Sequence, residues 1–578
     1  MAPSTPARGT PTGSSPEKPE ADGQTVVPLP TSDPDAEGAA LEPRRGWRFY
    51  AVFPGLCLVN LLVALDTTVV GLALPSISAS LDAGELFIWA VNGYYLAMAV
   101  AQPLTGQLAD LFGRRGPTLV ALGLFSIGSG LCGGATSIEM LIAGRIIQGL
   151  GGGAMVVLSV VLIADLVPLR SRTKYLAFTM AFFALGTFIG PILSGSVIDG
   201  ASWRWVFYIN LPVCGLALLL FGFFLNVHHG DRRSLPDKLR AIDWSGNALV
   251  SSTVVSILIA LTWGGTLHSW ASYHVLVPLL VGGLGLVLYF FHQRFLASSP
   301  TIPFRVFGNP TSFLGFLIAF FHGIFMSWIP FALPIYFQTL KQMSPLEAAV
   351  NCLPVAAPFA PASIVAGVVI QKTGRYKPPL ALGSLLMPVA AGCLTLLDAA
   401  TPKAAYVVIQ LVAGMAIGTA FVCTLPAIQA SLPEEDVAAA TATSGFLRSF
   451  GFIWGGAIPS AVFNSRFDAL LGQISDPAVR ALVARGGAYQ RGTRAFLTSL
   501  DSTPQLQAEV LGVYAAAIKQ VWQVYIAFGA ITVPLALAIP EVTLRTKLDT
   551  KYGLRAGKPE PDVTADSRVA GTEASADP

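Results

Sequence analysis

Charged residues are scarce in this chain: Asp, Glu, Lys and Arg make up 12% of its 578 residues, against about a quarter in soluble proteins. Hydrophobic residues make up 53%. A soluble fold must still present its surface to water, whereas a lipid bilayer accommodates that much apolar surface. The net charge of +3 is too small to indicate nucleic-acid binding. The composition therefore predicts an integral membrane protein.

Cysteines are few, and none of them forms a CxxC pair. Each lies inside an apolar run: Cys57, Cys132, Cys214, Cys352, Cys393 and Cys423. This distribution indicates neither a disulfide framework nor a zinc site, and it favours packed structural thiols. No metal or cofactor is expected.

Catalytic and nucleotide-binding motifs are also missing. The sequence has no HExxH, no GxSxG and no GxxxxGK[ST], which argues against an enzyme and against a motor driven by ATP. The proton gradient is then the expected energy source.

Both ends of the chain are polar. Residues 1–46 are rich in Pro, Ser, Thr, Gly and acidic residues and lack an apolar stretch long enough for a signal peptide, and residues 546–578 have a similar character. Such segments bury too little surface to fold. We expect two disordered extensions, both cytoplasmic.

Between these ends the sequence predicts an all-α polytopic fold with fourteen transmembrane helices, because about 20 apolar residues cross a bilayer as a helix. The predicted spans are 50–74, 86–109, 117–135, 138–164, 175–198, 205–227, 245–263, 274–293, 311–334, 347–370, 379–397, 404–427, 438–463 and 520–540. The connection 464–519 is polar and predicted to be extracellular, with short surface helices at about 469–474 and 507–518.

Basic residues fall mainly in one set of alternate loops, which is predicted to be cytoplasmic. This set contains Arg114, Arg115, Arg170, Arg172, Lys174, Arg232, Arg233, Lys238, Arg240, Arg294, Arg305, Lys372, Arg375 and Lys377. The other set contains Arg204, Lys341 and Lys403. One loop of the basic set is instead acidic, at Pro433-Glu434-Glu435-Asp436, but acidic residues carry little weight in this rule.

A weak internal repeat divides the chain. Gly106 and Gly113-Arg114 recur as Gly367 and Gly374-Arg375 at the corresponding place in a second set of spans. Internal repeats are typical of transporters that rock two halves about a central site. The predicted domains are a six-helix bundle at 47–228, a cytoplasmic linker with inserted spans 7 and 8 at 229–308, and a second six-helix bundle at 309–545.

Several motifs follow one another in a fixed order along the chain. They are Leu65-Asp66-Thr67-Thr68-Val69-Val70-Gly71-Leu72-Ala73-Leu74-Pro75; the loop 106–115; Arg145-Ile146-Ile147-Gln148-Gly149; Gly186-x3-Gly190-Pro191-x3-Gly195; and Trp203 to Pro212. Together they resemble the major facilitator superfamily, in particular its fourteen-span drug:proton antiporters and fungal toxin and multidrug efflux pumps, over about residues 47–545. The chain departs from this pattern at Gly71, where Asn is usual, and at Ser194, where Gly is common.

This resemblance implies a proton-coupled exporter of a small organic molecule, such as a fungal secondary metabolite, toxin or drug. It implies a monomer, with the plasma membrane as the expected location and the vacuolar membrane as the alternative. The loop residues Gly106, Asp110, Gly113, Arg114 and Arg115 would form a cytoplasmic latch, although a simple topogenic charge cluster is also possible. Gly186, Gly190, Pro191 and Gly195 would form the antiporter motif, in which the glycines permit close helix contact and the proline bends the helix.

The depth of two charged residues agrees with this interpretation. Asp66 lies roughly 12 Å from the outer end of span 1, and Arg145 roughly 10 Å from the outer end of span 4. Charges at such depth persist when they are paired or functional. We expect the two to face one cavity, where a conformational change or the arrival of substrate weakens their pairing and lets a proton bind. A structural ion pair is the alternative.

Further polar and aromatic residues are candidates for the substrate cavity: Trp89, Asn92, Tyr95, Gln102, Gln148, His322, Phe337, Gln338 and Arg448. The span 2 residues follow one helical face, which also suits a hydrogen-bonded seam between helices. His322 is the kind of side chain that titrates near neutral pH, but a packing histidine is the stronger interpretation. Arg448 lies deep in span 13, unless it extends to the inner interface.

Two other functions remain open from the sequence. One is an importer or siderophore carrier of the same fold, against which the Gly190-Pro191 pair argues. The other is a nutrient sensor that resembles a transporter, for which the terminal extensions are short and lack periodicity.

Overall fold

The computed structural model describes residues 47–81, 89–200, 202–225, 233–264, 268–484, 486–500 and 502–545. The predicted terminal extensions at 1–46 and 546–578 lie outside these residues. The predicted domain boundary near residue 228 lies outside them too, so the proposed division into domains stays a prediction.

The described residues form long α-helices joined by short connections. We number the helices of spanning length in chain order: α1 Trp47–Leu81, α2 Trp89–Phe112, α3 Arg115–Gly133, α4 Ile138–Leu166, α5 Leu169–Gly200, α6 Trp205–Tyr208 with Asn210–Phe224, α7 Trp244–Trp263, α8 Tyr273–Phe291, α9 Pro310–Thr339, α10 Pro345–Ala356 with Phe359–Thr373, α11 Lys377–Leu394, α12 Lys403–Ala430, α13 Val437–Ala469 and α14 Pro504–Ala538.

Thirteen helices in the described part of the chain are long and apolar enough to span a membrane. The remaining one, α2, has 24 residues, which is about 36 Å of helix and enough to cross the hydrocarbon core. Asn92, Gln102, Gln107 and Asp110 make it more polar than the others. The predicted all-α fold with fourteen spanning helices is therefore confirmed.

Helix starts follow the local sequence. Ser137, Asp243 and Asn309 each accept a hydrogen bond from a backbone amide in the first turn of α4, α7 and α9, respectively. At α10 a capping box joins Ser344 and Glu347 in both directions. Such caps satisfy amides that have no partner within the helix, and they fix where each span begins.

The six helices α1–α6 pack together, and so do α9–α14. Within the first group α1 packs on α5 and α6, and α4 packs on α2 and α3. Within the second group α9 packs on α13, and α11 packs on α12 and α14. We call these groups the first and second half. The inserted pair α7 and α8 packs against itself and contacts α2 and α13, so it lies over one seam between the halves.

An even number of spans brings the start of α1 and the end of α14 to the same membrane face, which we call the terminal face. It carries the α2–α3, α4–α5, α6–α7, α8–α9, α10–α11 and α12–α13 connections. The other side is called the opposite face.

The long connection at the opposite face differs from its prediction. Helix α13 continues to Ala469, and α14 begins at Pro504, so the predicted surface helix at 507–518 is wrong: these residues are the first turns of α14. The predicted helix at 469–474 is reduced to a single 3-10 turn at Leu471–Gln473. Polar residues at the start of α14 concealed the helix, because an apolar run marks only the part that lies in lipid.

Candidate functional site

A polar cluster is enclosed inside the first half. Asp66 of α1 and Arg145 of α4 form an ion pair, with an oxygen of the carboxylate 2.6 Å from a guanidinium nitrogen. Gln148, one turn further along α4, donates to the other carboxylate oxygen at 2.7 Å. Asn210 of α6 donates to that same oxygen at 3.3 Å. The predicted contact between α1 and α4 is therefore present.

Every member of this cluster has several partners. The Nε of Arg145 donates to the backbone carbonyl of Ala90 in α2 at 3.0 Å, and another guanidinium nitrogen donates to Gln148 at 2.7 Å. Gln148 also donates to Ser129 of α3 at 2.9 Å. Two buried charges are tolerated only with such compensation, because both have left water. The cluster thus joins five helices of the first half: α1, α4 and α6 meet at the carboxylate, α2 is bound through Arg145 and α3 through Gln148.

Small residues allow α4 to approach its neighbours closely enough for these bonds. A side chain at Gly128 of α3 would meet the backbone of Gln148 at 2.5 Å, and one at Gly149 would meet the backbone of Tyr94. The Tyr94 ring lies under the Arg145 guanidinium, with the ring centroid 4.2 Å away. Apolar side chains such as Val69, Leu141 and Phe207 surround the cluster.

The sequence did not identify two members of this cluster. Ser129 belongs to no motif, and Asn210 belongs only to the motif from Trp203 to Pro212. Their depth and polarity were the available signals. The orientation of α3 and α6 decides whether such side chains face the cluster, and one sequence does not give it.

A central cavity of about 170 Å³ lies between the two halves. Its lining comes from α1, α2, α4 and α5 of the first half and α9, α10, α12 and α13 of the second. The lining residues are Asn60, Val63, Thr67, Tyr95, Met98, Val156, Val157, Val160, Leu176, Met180, Phe183, Met326, Phe359, Phe421, Val422, Leu425, Thr441, Ser444, Gly445, Arg448, Ser449, Phe452 and Ile453.

The ion pair does not line this cavity, so the expectation that Asp66 and Arg145 face one cavity is wrong for this conformation. Helix α1 turns Asn60, Val63 and Thr67 towards the cavity, whereas Asp66 points back into the first half. Thr67 nevertheless adjoins Asp66 in the chain. The two sites are separate but only one residue apart on α1.

Two of the nine substrate-cavity candidates line the cavity. Tyr95 does so from the first half, and its ring stacks on Phe452 of α13, with centroids 5.3 Å apart. Arg448 does so from the second half, and its guanidinium carbon lies 4.7 Å from the centroid of the Phe421 ring. The stack and the cation–π contact therefore both contribute aromatic side chains to the cavity lining.

Three candidates from the first half have other partners. Asn92 donates to Thr262 of α7 at 3.2 Å, and Gln102 donates to Ser449 of α13 at 2.9 Å. Asn92 and Gln102 therefore belong to hydrogen-bonded seams between helices, which was the alternative interpretation, whereas Tyr95 of the same face lines the cavity. Gln148 belongs to the ion-pair cluster. Trp89 lies at the start of α2 and does not line the cavity.

The remaining candidates lie in α9 and do not line the cavity. His322 is buried, with its Nε2 2.9 Å from the backbone carbonyl of Ile417, as a packing histidine would be. Phe337 is buried against Tyr406 towards the opposite face, and Gln338 follows it there. Sequence reasoning missed most of the lining, including Phe421 and Phe452, because every face of these helices is apolar and no pattern marks the one that meets the cavity.

The halves meet at the terminal face through two glycines of the internal repeat. A side chain at Gly106 of α2 would meet the Cβ of Ala442 in α13 at 2.7 Å. One at Gly367 of α10 would meet the backbone carbonyl of Thr173 in α5 at 3.1 Å. The repeat thus places equivalent glycines at the two seams, and the cavity is closed from the terminal face.

The second glycine of each repeat has a different structural role, in the turn that follows the helix. Gly113 has φ of 77° and Gly374 has φ of 71°, a left-handed conformation that favours glycine. Each turns the chain directly after a helix. The repeated spacing therefore encodes a close approach followed by a sharp turn.

The charged residues of the predicted latch contact groups within the first half. Arg114 is buried and binds Asp165 at the end of α4, with an N–O distance of 2.6 Å, and Asp110 at 3.2 Å. Arg115 donates to the backbone carbonyl of Gly222 in α6 at 2.6 Å. These contacts tie the α2–α3 connection to α4 and α6.

The acidic α12–α13 connection supplies partners for basic residues of the same face. Asp436 lies 2.7 Å from Arg305, and Glu434 lies 3.5 Å from the buried Arg172. Arg172 also donates to Gln429 of α12 at 2.6 Å, across the two halves. The α12–α13 connection, which is the exception to the charge rule, therefore pairs with basic residues at the closed terminal face.

The antiporter motif packs α5 against α1 where it is described. A side chain at Gly186 would meet the backbone carbonyl of Leu61 at 2.7 Å, and one at Gly190 would collide with Thr68. For Pro191 and Gly195 the structure describes the helical backbone alone. The two glycines hold α5 against the helix that carries Asp66.

Enlarging Gly106 tests the closure directly. We expect Gly106→Leu to separate α2 from α13 and to raise several-fold the labelling of a cysteine at Ser444 by a membrane-impermeant maleimide added at the terminal face. Gly116→Leu is the matched control, since no atom lies within 4 Å of a side chain placed there. Equal labelling in both variants would contradict the proposed role of this glycine.

Two helical halves around a central cavity, with the terminal face closed, define a membrane transporter rather than an enzyme. The sequence profile of the Major Facilitator Superfamily matches residues 56–456. The chain belongs to this superfamily.

Curated relatives cover most of the chain. The chain is 40% identical over 530 residues to "Efflux pump FUS6" of Gibberella moniliformis, covering 92% of this chain and 93% of the relative. It is 43% identical over 519 residues to "Acurin A biosynthesis cluster MFS-type transporter" of Aspergillus aculeatus, covering 89% and 94%. The resemblance to fungal efflux pumps of this superfamily is thereby confirmed.

Solved structures share the fold at low identity. The human organic anion transporter MFSD10 has a TM-score of 0.56 at 15% identity, covering 84% of this chain and 99% of that chain. The proton:xylose symporter XylE has a TM-score of 0.55 at 16% identity, covering 86% and 98%. These likenesses support the architecture alone.

Proposed function

We propose that this chain is a proton-coupled antiporter that exports a small organic molecule, of the kind made as secondary metabolites or toxins by fungi. Relatives that share about two fifths of their residues with it are named efflux pumps. The terminal face is the cytoplasmic one, because it carries most of the basic loop residues. Both termini then lie in the cytoplasm, and the plasma membrane is the proposed location.

The observation that carries proton coupling is the carboxylate of Asp66, enclosed in an apolar bundle and bound by Arg145 and Gln148. A carboxylate at this depth persists only when it is paired or has a function. Protonation removes its charge, and Arg145 then loses its ionic partner. The bonds that hold α1 to α4 weaken as a result.

The cavity lies next to the Asp66–Arg145 ion pair. Tyr94 contacts Arg145, and the adjacent Tyr95 lines the cavity. Asp66 and the adjacent Thr67 have the same relation on α1. A change in how α1 and α4 pack therefore reaches the substrate cavity without a long path.

The cycle follows from these contacts. In the form that is closed at the terminal face, substrate leaves towards the opposite face and a proton binds Asp66. The halves then rock, the proton leaves to the cytoplasm, and the ion pair re-forms while new substrate enters. Superfamily members rock two repeats around a fixed central site.

Transport into proteoliposomes tests the proposal. Full-length protein would be reconstituted in liposomes with an acidic interior, and uptake measured for three probes that share one aromatic body: 1-pyrenebutanoate, its methyl ester and 1-pyrenebutylamine. We expect at least one probe to accumulate above protein-free liposomes and to be released by a protonophore. Failure of all three probes to accumulate above protein-free liposomes, or uptake of all three that ignores the pH gradient, would overturn proton-driven export.

A further inference from the structure

Arg448 differs from the buried arginines of the described residues, because it is partly exposed and lines the central cavity. Arg114, Arg145 and Arg172 each lie within ion-pair distance of a carboxylate. Arg448 has no hydrogen bond or ion pair to any described group, and its one contact of this kind is with the face of the Phe421 ring. It is an uncompensated cation facing the central cavity.

The cavity offers this cation no protein counter-ion. Among the lining residues that the structure describes there is no Asp, Glu or second basic residue, and the polar ones are neutral: Asn60, Thr67, Tyr95, Thr441, Ser444 and Ser449. The rest of the lining is aliphatic or aromatic. One positive charge therefore dominates the electrostatics of an otherwise apolar space.

The position of this charge is fixed by the backbone. Gly323 of α9 lies so close to α13 that a side chain there would collide with the carbonyl of Arg448, and Gly451 has the same relation to Phe320. The helix cannot easily shift or rotate to take the guanidinium elsewhere. The charge is thus built into the wall that α9 and α13 form together.

An unpaired charge within a membrane protein is expensive and usually marks a substrate or ion pathway. A guanidinium forms two parallel hydrogen bonds with a carboxylate, and these are stronger than bonds between neutral groups. The missing partner of Arg448 is then an anionic group of the substrate itself.

We propose that the substrate is an amphipathic organic anion whose carboxylate binds Arg448. Its apolar body packs on the aromatic side chains of the same cavity, including Tyr95, Phe421 and Phe452. This inference rests on the proposed function, because it treats the central cavity as the transport site. It names the class of molecule that the cavity prefers.

Equilibrium binding tests this preference without transport. Purified full-length protein would be titrated with 1-pyrenebutanoate, its methyl ester and 1-pyrenebutylamine, with pyrene fluorescence as the readout. We expect the carboxylate to bind roughly tenfold to a hundredfold more tightly than the ester, as loss of one charge-assisted contact predicts, and the amine to bind most weakly.

Variants assign the preference to one side chain. Arg448→Gln should lower the affinity for the carboxylate to that for the ester, and continued binding of the ester shows that the variant is folded. Arg448→Lys should keep part of the difference. Arg466→Gln, an exposed arginine on the same helix, should keep all of it.

Equal affinities of the wild-type protein for carboxylate and ester, no binding of the carboxylate, or an undiminished preference in Arg448→Gln would each overturn the inference. These outcomes are separate from failure of the proposed function. If the ester accumulates as well as the carboxylate in proteoliposomes, proton-driven export stands and the substrate class is wrong. If no probe accumulates but the preference at Arg448 persists, export is wrong and the anion site stands.

Discussion

Replacing Asp66 with Asn should abolish proton-driven accumulation of substrate, reducing it to the level of protein-free liposomes. Asparagine keeps nearly the same shape and can still accept a hydrogen bond from Gln148, but it cannot exchange a proton. The ion pair with Arg145 is lost permanently, because residue 66 is then neutral in every step of the transport cycle. Uptake by matched amounts of protein under an imposed pH gradient is the measurement.

A second buried aspartate provides the control for this variant. Asp243 accepts hydrogen bonds from Gln293 and from the backbone amide of Gly246 at the start of α7, outside the two rocking halves. Asp243→Asn should therefore keep proton-driven accumulation. Wild-type accumulation by Asp66→Asn, with binding of the probe intact, would show that the pair is merely structural.

Replacing Arg145 with Gln should be the most destabilising single change within the cluster. It leaves the carboxylate of Asp66 buried without a cation, and removal of one partner from a buried ion pair costs about 3–5 kcal/mol. We expect a clearly lower thermal unfolding midpoint in detergent, together with loss of transport.

The double variant separates stability from coupling. Asp66→Asn with Arg145→Gln contains neither charge, so most of the lost stability should return, because a buried pair contributes little beyond a neutral replacement. Transport should stay absent. A double variant as unstable as Arg145→Gln alone would mean that the hydrogen bonds of Arg145 to Ala90 and Gln148 matter more than its charge.

The ion pair was predictable because charge at depth is rare. Asp66 and Arg145 stand out within apolar runs, and helical rise alone places them at the same level. The direction in which they point was not predictable. It depends on how α1 is rotated in the bundle, and the apolar surroundings give no periodic signal for that rotation.

For the repeat glycines the sequence pattern was predictable, but its structural role was not. Their spacing was visible in the sequence, but it did not reveal that Gly106 and Gly367 lie at seams between the halves, since such contacts join residues far apart in the chain. The acidic residues Glu434 and Asp436 were an exception to the charge rule for the same reason. Their partners lie far away in the chain, Arg172 at the start of α5 and Arg305 in the α8–α9 connection.

The cavity was the least predictable part. Arg448 was identifiable as a deep charge, and Tyr95 as an aromatic on a polar face. The other lining side chains are ordinary apolar residues, and their role arises only when eight helices assemble. For His322 the sequence favoured a packing histidine over a cavity residue, and the structure places its ring against the backbone carbonyl of Ile417.

Proton movement driven by a substrate gradient is the most direct test of proton coupling through Asp66. Proteoliposomes with equal pH on both sides, a clamped membrane potential and trapped pyranine would receive a gradient of whichever probe the wild-type protein transports. We expect wild-type and Asp243→Asn protein to move protons against the probe, and Asp66→Asn protein to move none. Proton movement by Asp66→Asn at the wild-type rate would contradict proton coupling through Asp66.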